Sequence, residues 1–388
     1  MLAFFHHMRI AVLLSASLAI LAGVLQAQSS DDDDEMDYFP LSPTGNSLRF
    51  GLRYVGGPKV SFGHLGVVPT TKDVGDTATL QTRAYDDGTV NLDARTGAGG
   101  AAVKDGLTNT WDYQFSSQVT PGGDIAFHTY DVTSAGAAMK GKTSSAAGWE
   151  LQMGHRFRKI ARKIDFSLVA GFSFSGLNAK VSGTVPAQLN TLTDVYSLNG
   201  QTPPDAPYTA PTFGSQGVYD ANGNPLLNSD GSQQTRSVET STLLADLPTR
   251  TTATGVTDVR GHWQIKGASY TLRVGPLLQV PLSERIKVTF GAGAALVYVG
   301  SRYIADETAD IEETTSTLQT VEEKDRRVLL PGYYADAGAE YWITERAGFY
   351  LGASYQKAGS FDQTLNDRTA KIDLSTTYGV QSGITLRF

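Results

Sequence analysis

The chain has 388 residues, a formal net charge of −7, 41 glycines and no cysteine. Without cysteine it has no disulfides, thiolate metal sites or cysteine nucleophiles. The acidic run Asp31, Asp32, Asp33, Asp34, Glu35 and Asp37 carries most of the net charge. The remainder is nearly neutral, which leaves no basic footprint for nucleic acid.

In chain order, residues 1–27 read as a signal peptide. Arg9 supplies the positive region, residues 10–25 the apolar region, and cleavage after Ala27 leaves Gln28 as the new N-terminus. Residues 28–46 read as an acidic, solvated tail on the periplasmic side. Beyond the leader there is no apolar run of 18 residues, so no transmembrane helix is expected.

From residue 47 onward the signal is a period of two, the mark of a strand with one apolar face. Leu48, Phe50, Leu52 and Tyr54 oppose Arg49, Gly51 and Arg53. Residues 76–94 give a weaker pair of strands around the Asp86-Asp87-Gly88 turn, which suits a periplasmic rim. Residues 110–119 and the stretch through Tyr130 add two more. Residues 147–157 and 164–174 alternate cleanly on either side of a short basic turn.

Residues 183–255, rich in Pro, Gly, Asn, Ser and Thr, read as one long loop. Strands follow at 270–280, 286–298, 333–343 and 349–355, with an acidic loop carrying Asp306, Glu307, Glu322 and Glu323 between the second and third. Residues 358–370 read as a loop before the final strand. Three connections are very short (158–163, 281–285 and 344–348) and alternate with longer ones.

The final strand places Tyr378, Val380, Ser382, Ile384, Leu386 and Phe388 on one face and the chain stops on an aromatic residue. This strand resembles the closing strand of bacterial outer-membrane β-barrels. The resemblance covers the leader and most of 47–388 as a pattern of hairpins. It implies an all-β fold: an antiparallel transmembrane β-barrel with short periplasmic turns and long extracellular loops. The expected count is twelve strands, or ten without the 76–94 pair. The resemblance also implies that Tyr378, Val380, Ile384, Leu386 and Phe388 form the barrel-assembly signal. Its implied partners are outer-membrane lipid, the barrel-assembly machinery and periplasmic chaperones, with a surface-loop partner left open. Aromatic residues near strand ends, among them Tyr54, Trp149, Phe157, Tyr298, Tyr341 and Tyr355, suit an interfacial girdle.

On these registers Arg49, Arg53, Glu150, Arg156, Asp165, Arg273, Lys287, Asp336, Glu340, Asp373 and Arg387 point into the lumen. In a wide pore such residues set ion preference. In a narrow barrel they pair and fill the interior. Both readings stand at this stage. No phosphate loop, metal-spaced histidine pair or nucleophile elbow is present, so no enzyme, cofactor or metal is expected. Passive passage of small solutes is the leading expectation. The alternative is a filled barrel whose loops bind a partner. A hydrolase at the rim, built on His128 or His262, is the weakest.

Overall fold

The computed structural model describes residues 45–97, 100–161, 164–311 and 316–388. The expected signal peptide (residues 1–27) and most of the expected acidic tail, up to Thr44, lie outside them. Wherever apolar and polar residues alternate strictly, the chain extends and pairs with its neighbour. Eight strands form the main ring: β1 (Asn46–Gly56), β2 (Ala146–Ala161), β3 (Ile164–Tyr196), β4 (Thr249–Pro281), β5 (Ile286–Ile311), β6 (Ser316–Trp342), β7 (Ala347–Lys357) and β8 (Thr377–Arg387). Every neighbouring pair is antiparallel. β1 pairs β2 on one side and β8 on the other, and β2 pairs β3, so the eight strands close into a ring.

The side-chain alternation places one face outward. Phe50, Leu52, Tyr54, Leu351, Tyr355, Tyr378, Val380 and Phe290 are exposed on the outside, while Arg49, Arg53, Glu150, Arg273 and Glu340 are buried inside. Tyr378, Val380, Ile384, Leu386 and Phe388, the residues expected to form an assembly signal, are all on the exposed side. At one level Trp149, Phe174, Tyr270 and Tyr298 follow one another across β2 to β5, with centroids 6.4, 5.3 and 6.1 Å apart. Tyr333, Tyr355 and Tyr378 continue this belt on β6 to β8. β1, β7 and β8 have 11 residues each, the length a tilted strand needs to span a bilayer.

The tight connections β4–β5 and β6–β7 lie at one end, together with Asn46 and Arg387. They are closed by Leu282 N–H to the Ile286 carbonyl (2.9 Å) and Ile343 N–H to the Ala347 carbonyl (3.0 Å). At the other end β3, β4, β5 and β6 run far beyond the aromatic belt. Their upper halves form a wall, and a second sheet packs on its inner face. That sheet comprises Ser360–Leu365, Arg368–Asp373, Lys59–Leu65 and Ala137–Lys140. Phe62, Leu65 and Ile372 from the sheet and Trp263, Ile265, Val299 and Tyr303 from the wall share one buried core. A further core of Tyr85, Trp111, Tyr113, Phe127 and Tyr196 forms a cap.

These features correct the sequence reading. The ring has eight strands, not twelve or ten. Residues 76–94 yield the short strands Arg83–Ala84 and Gly88–Val90, and the turn at Asp86-Asp87-Gly88 lies in the cap, not on the periplasmic rim. Its carboxylates accept backbone N–H bonds from Tyr130 (Asp86, 2.9 Å) and His128 (Asp87, 2.8 Å). Trp111–Tyr113 alternates because it faces the cap core, not lipid. Ile125–Ser134 pairs with the upper end of β3 and stands outside the ring. The 183–255 loop is shorter than expected, because β3 continues to Tyr196 and β4 starts at Thr249, paired throughout. The acidic stretch around Asp306 and Glu322 is strand, and 358–370 holds most of a hairpin. Wall strands face water on their outer side, so Thr, Ser and Gly stand where a lipid-facing strand would carry apolar residues.

Candidate functional site

The barrel interior is built by side chains that project inward from alternate positions. Arg49 on β1 donates from Nε (3.0 Å) and Nη2 (2.5 Å) to Glu340 of β6, three strands round the ring. Glu340 also accepts from the Trp342 indole at 3.1 Å. Arg273 on β4 joins Glu150 of β2 (2.9 Å) and Asp336 of β6 (3.0 Å). The Tyr350 hydroxyl on β7 donates to Glu150 at 2.9 Å. Lys287 reaches Asp165 at 3.3 Å. The Arg387 guanidinium lies over the Trp342 ring, 3.7 Å from its centroid, a cation–π contact.

Glycine makes this crossing possible. A Cβ on Gly51 would collide with the Ser382 carbonyl and the Tyr350 hydroxyl. Its absence lets Tyr350 reach across β8 and β1 to Glu150. An eight-stranded barrel encloses little more than its own side chains, and here those side chains are paired charges.

Of the residues expected in the lumen, Arg49, Arg53, Glu150, Arg156, Asp165, Arg273, Lys287, Asp336, Glu340 and Arg387 are on the inward register. Arg156 and Arg387 are half-exposed at the end that carries the tight turns. Asp373 is not in the lumen. It ends the outer hairpin strand opposite Lys59, where hydrogen bonds from Ser375 hold its carboxyl below the ordinary range. Gln152, Gln279, Tyr334, Tyr350 and Gln356 belong to the interior and were missed. Their signal was the same inward register, read only for charge.

Arg53 differs from its neighbours. It is 4% exposed, and it donates to Ser173 Oγ (3.0 Å) and Gln356 Oε1 (3.5 Å). Its Nε has no partner. It borders a cavity of about 30 Å³ at the top of the lumen. Beside that cavity the β2–β3 ladder stops at Gly148 and Ser175, and pairing with β3 resumes only at Thr143 and Ala179. The resulting notch opens to the outside as a groove.

A second ionic cluster sits in the wall core. Glu307, fully buried, accepts from the Gly66 (2.9 Å) and Val67 (3.1 Å) backbone N–H groups, the Trp263 indole (2.7 Å) and Arg368 Nε (2.6 Å). Arg368 also reaches Glu322 at 2.6 Å. In the cap, Asp194 binds Arg250 and the Tyr85 hydroxyl, each at 2.7 Å. Burial pushes the Tyr85 phenol up, and the Tyr196 hydroxyl adds to this.

The histidines do not converge. His128 contacts Asp87 at 2.6 Å in the cap. His155 contacts Asn46 at 2.7 Å near the end that carries the tight turns. His64 lies near Thr369. His262 on the outer face of the wall shares a 2.7 Å hydrogen bond with Ser182 of β3. Asp306 is its cross-strand neighbour on β5, but that carboxylate accepts from Gln319 instead, at 3.2 Å. Among the described residues no cluster of side chains suits a metal ion.

A closed antiparallel ring, apolar and aromatic outside and ionic within, is the architecture of an outer-membrane β-barrel. No family model and no curated protein matches the chain. Among solved structures it is similar to Ail, the attachment invasion locus protein of Yersinia pestis, at 8% identity and a TM-score of 0.23, over 88% of this chain and 100% of that one. It is also similar to a Pseudomonas aeruginosa FadL homologue (9% identity, TM-score 0.18, 89% and 90% covered). The P. putida toluene transporter TodX gives 11% identity and a TM-score of 0.18, with 89% and 91% covered. The assignment of the fold therefore rests on the closed ring and its two faces.

Proposed function

We propose that the protein is a non-enzymatic barrel of the bacterial outer membrane, exported by its signal peptide, that holds a binding surface outside the cell. The observation that carries this reading is the filled lumen. Arg49–Glu340, Arg273–Glu150 and Arg273–Asp336 tie strands to one another across the interior. A conducting path would have to part these buried pairs, each of which is costly to break.

The material invested outside the membrane supports the same reading. Four strands extend to build the wall, a second sheet fills it, and a hairpin of Phe213–Gly217 with Thr235–Glu239 projects from the cap region. This hairpin and its tip expose Phe213, Tyr219 and Leu227 at 65%, 58% and 55%. Exposed aromatic and aliphatic residues on a hairpin tip suit contact with a partner surface.

Planar-bilayer recording of the refolded, leader-free protein tests the reading. A heat-modifiable barrel without channel steps supports it. Stable steps would replace it with passive passage of small solutes, the alternative that the lumen charges otherwise suggest.

A further inference from the structure

We propose that a lysine patch on the outer face of the wall, just above the aromatic belt on β3 and β4, binds the phosphorylated sugar headgroup of an outer-leaflet lipid. The inference rests on the reading of the ring as an outer-membrane barrel with the wall outside the cell. It adds a ligand distinct from a partner at the projecting hairpin. Three observations carry it.

The first is charge. Lys180 of β3 stands directly opposite Lys142 of the short strand Lys142–Thr143, and Lys266 of β4 directly opposite Arg302 of β5. All four are exposed. Like charges directly opposite one another on a sheet are destabilising, and here two such pairs sit side by side. The nearby carboxylates of Glu323 (3.1 Å) and Asp325 (2.8 Å) are both engaged by Arg302. Among the described residues none of the three lysines has a carboxylate within 4 Å. An anionic ligand laid over the patch offsets this repulsion.

The second is height. On their own strands Lys180 is six residues from the belt residue Phe174, and Lys266 is four from Tyr270. At about 3.3 Å per residue and a tilt of about 40°, the two lysines stand about 15 and 10 Å above the belt. The headgroup layer of a simple phospholipid is only about 5 to 7 Å deep. Lys266 can extend its side chain down to such a layer, but Lys180 stands clear of it. A phosphorylated sugar head is deeper and spans both.

The third is shape. Between the belt and the lysines the outward positions are Ala147, Gly176, Ala268 and Gly300. They leave a bare shelf, and a Cβ on Gly300 would meet nothing within 4 Å. Beside β2 the shelf widens into a groove of about 390 Å³ lined by Ser144, Ser145, Asn178 and Lys266, within the usual range of small-molecule sites. Hydroxyls, an amide and an ammonium suit a sugar ring that carries phosphate. Trp149 and Phe174 of the belt lie directly below, where acyl chains would run.

The test places the refolded, leader-free protein in nanodiscs of phosphatidylcholine that contain a minor share of diphosphorylated lipid A. Native mass spectrometry after release into detergent counts the lipid retained on the barrel. A single diphosphorylated lipid A should persist, while lipid A stripped of both phosphates should be lost. Joint Lys142→Gln, Lys180→Gln and Lys266→Gln substitution should lower the retained fraction roughly tenfold or more. Lys371→Gln, at an exposed lysine of the second sheet, should leave it unchanged. Equal retention of the stripped lipid, of phosphatidylglycerol at the same proportion, or by the triple variant would each overturn the proposal. Heat-modifiability is read on the same samples. A heat-modifiable barrel that retains no lipid A sinks the site alone. A protein that forms no such barrel in the bilayer sinks the membrane reading and the site with it.

Discussion

Arg49 and Glu340 meet across the lumen from strands three apart in the ring, with two guanidinium nitrogens on a single carboxylate oxygen. The same carboxylate takes the Trp342 indole on its other oxygen, with Gln279 Nε2 at 3.5 Å from it. One residue of β6 thus satisfies donors from β1, β4 and its own strand. Glu340→Ala is expected to destabilise the barrel by roughly 3 to 5 kcal/mol, because it strands a buried guanidinium. Arg49→Met combined with Glu340→Leu should cost less than Glu340→Ala, since no charge is left unpaired. Urea unfolding in lipid vesicles measures both.

Glu307 plays the corresponding part in the wall. Its carboxylate fixes the chain at Gly66 and Val67, the Trp263 indole and Arg368. Glu307→Ala should loosen the second sheet and leave the ring intact. The expected result is new protease cleavage near residues 59–72 with unchanged heat-modifiability of the remaining barrel. Loss of the barrel band itself would contradict this division.

The ring was legible in the sequence because lipid enforces a rule. On β7 and β8 every outward residue near mid-membrane has to tolerate hydrocarbon, so Phe349, Leu351 and Ile384 stand out. Above the belt water covers the outer face, and Thr251, Thr252, Thr254 and Gly255 on β4 carry no period. There pairing with β3 makes the strand, and that pairing is not written locally. Trp111 and Tyr113 misled for the opposite reason. Burial under a cap demands the same alternation as burial in lipid. The charges on the inward register of the ring strands followed from the period of two, but Asp373 did not belong with them, and their pairing was not written there. Whether Arg53 finds a carboxylate depends on residues two or three strands away.

The projecting hairpin should respond to acid. Asp220 accepts the backbone N–H groups of Asn222 and Asn224, each at 2.8 Å, and Asp230 accepts that of Ser232 at 2.9 Å. A hydrogen bond from the Asn224 backbone holds Asp220 below the ordinary carboxylate range. The Ser232 hydroxyl does the same for Asp230. Because the folded values are depressed, the turns are fully supported above the unfolded value, about 4. That support is lost as pH falls through the folded values. Amide chemical shifts of Asn222, Asn224 and Ser232 should stay flat near neutrality and move together in acid. Movement near pH 6 would contradict the assignment.

Ser182 and His262 form the nearest approach to a hydrolytic pair, on the outer face of the wall. An acylating serine needs its histidine oriented by a third group, and the adjacent Asp306 is engaged with Gln319 instead. Hydrolysis of short-chain esters and of phospholipid by the refolded protein is expected to match the blank. Ser182→Ala and His262→Ala should leave it there. A measurable rate abolished by both substitutions would establish an enzyme.

Gly51 provides the sharpest check on how the interior is packed. A methyl group there meets two obstacles, the Ser382 carbonyl of β8 and the Tyr350 hydroxyl on its way to Glu150. The hydroxyl can retreat and the carbonyl cannot without disturbing the ladder between β1 and β8. Gly51→Ala should therefore cost about 1 to 3 kcal/mol, the usual range for overpacking. Tyr350→Phe added to Gly51→Ala should relieve only part of that cost, because the collision with the strand remains. Full relief in the double variant would show that the side chain, not the strand, requires glycine at this position.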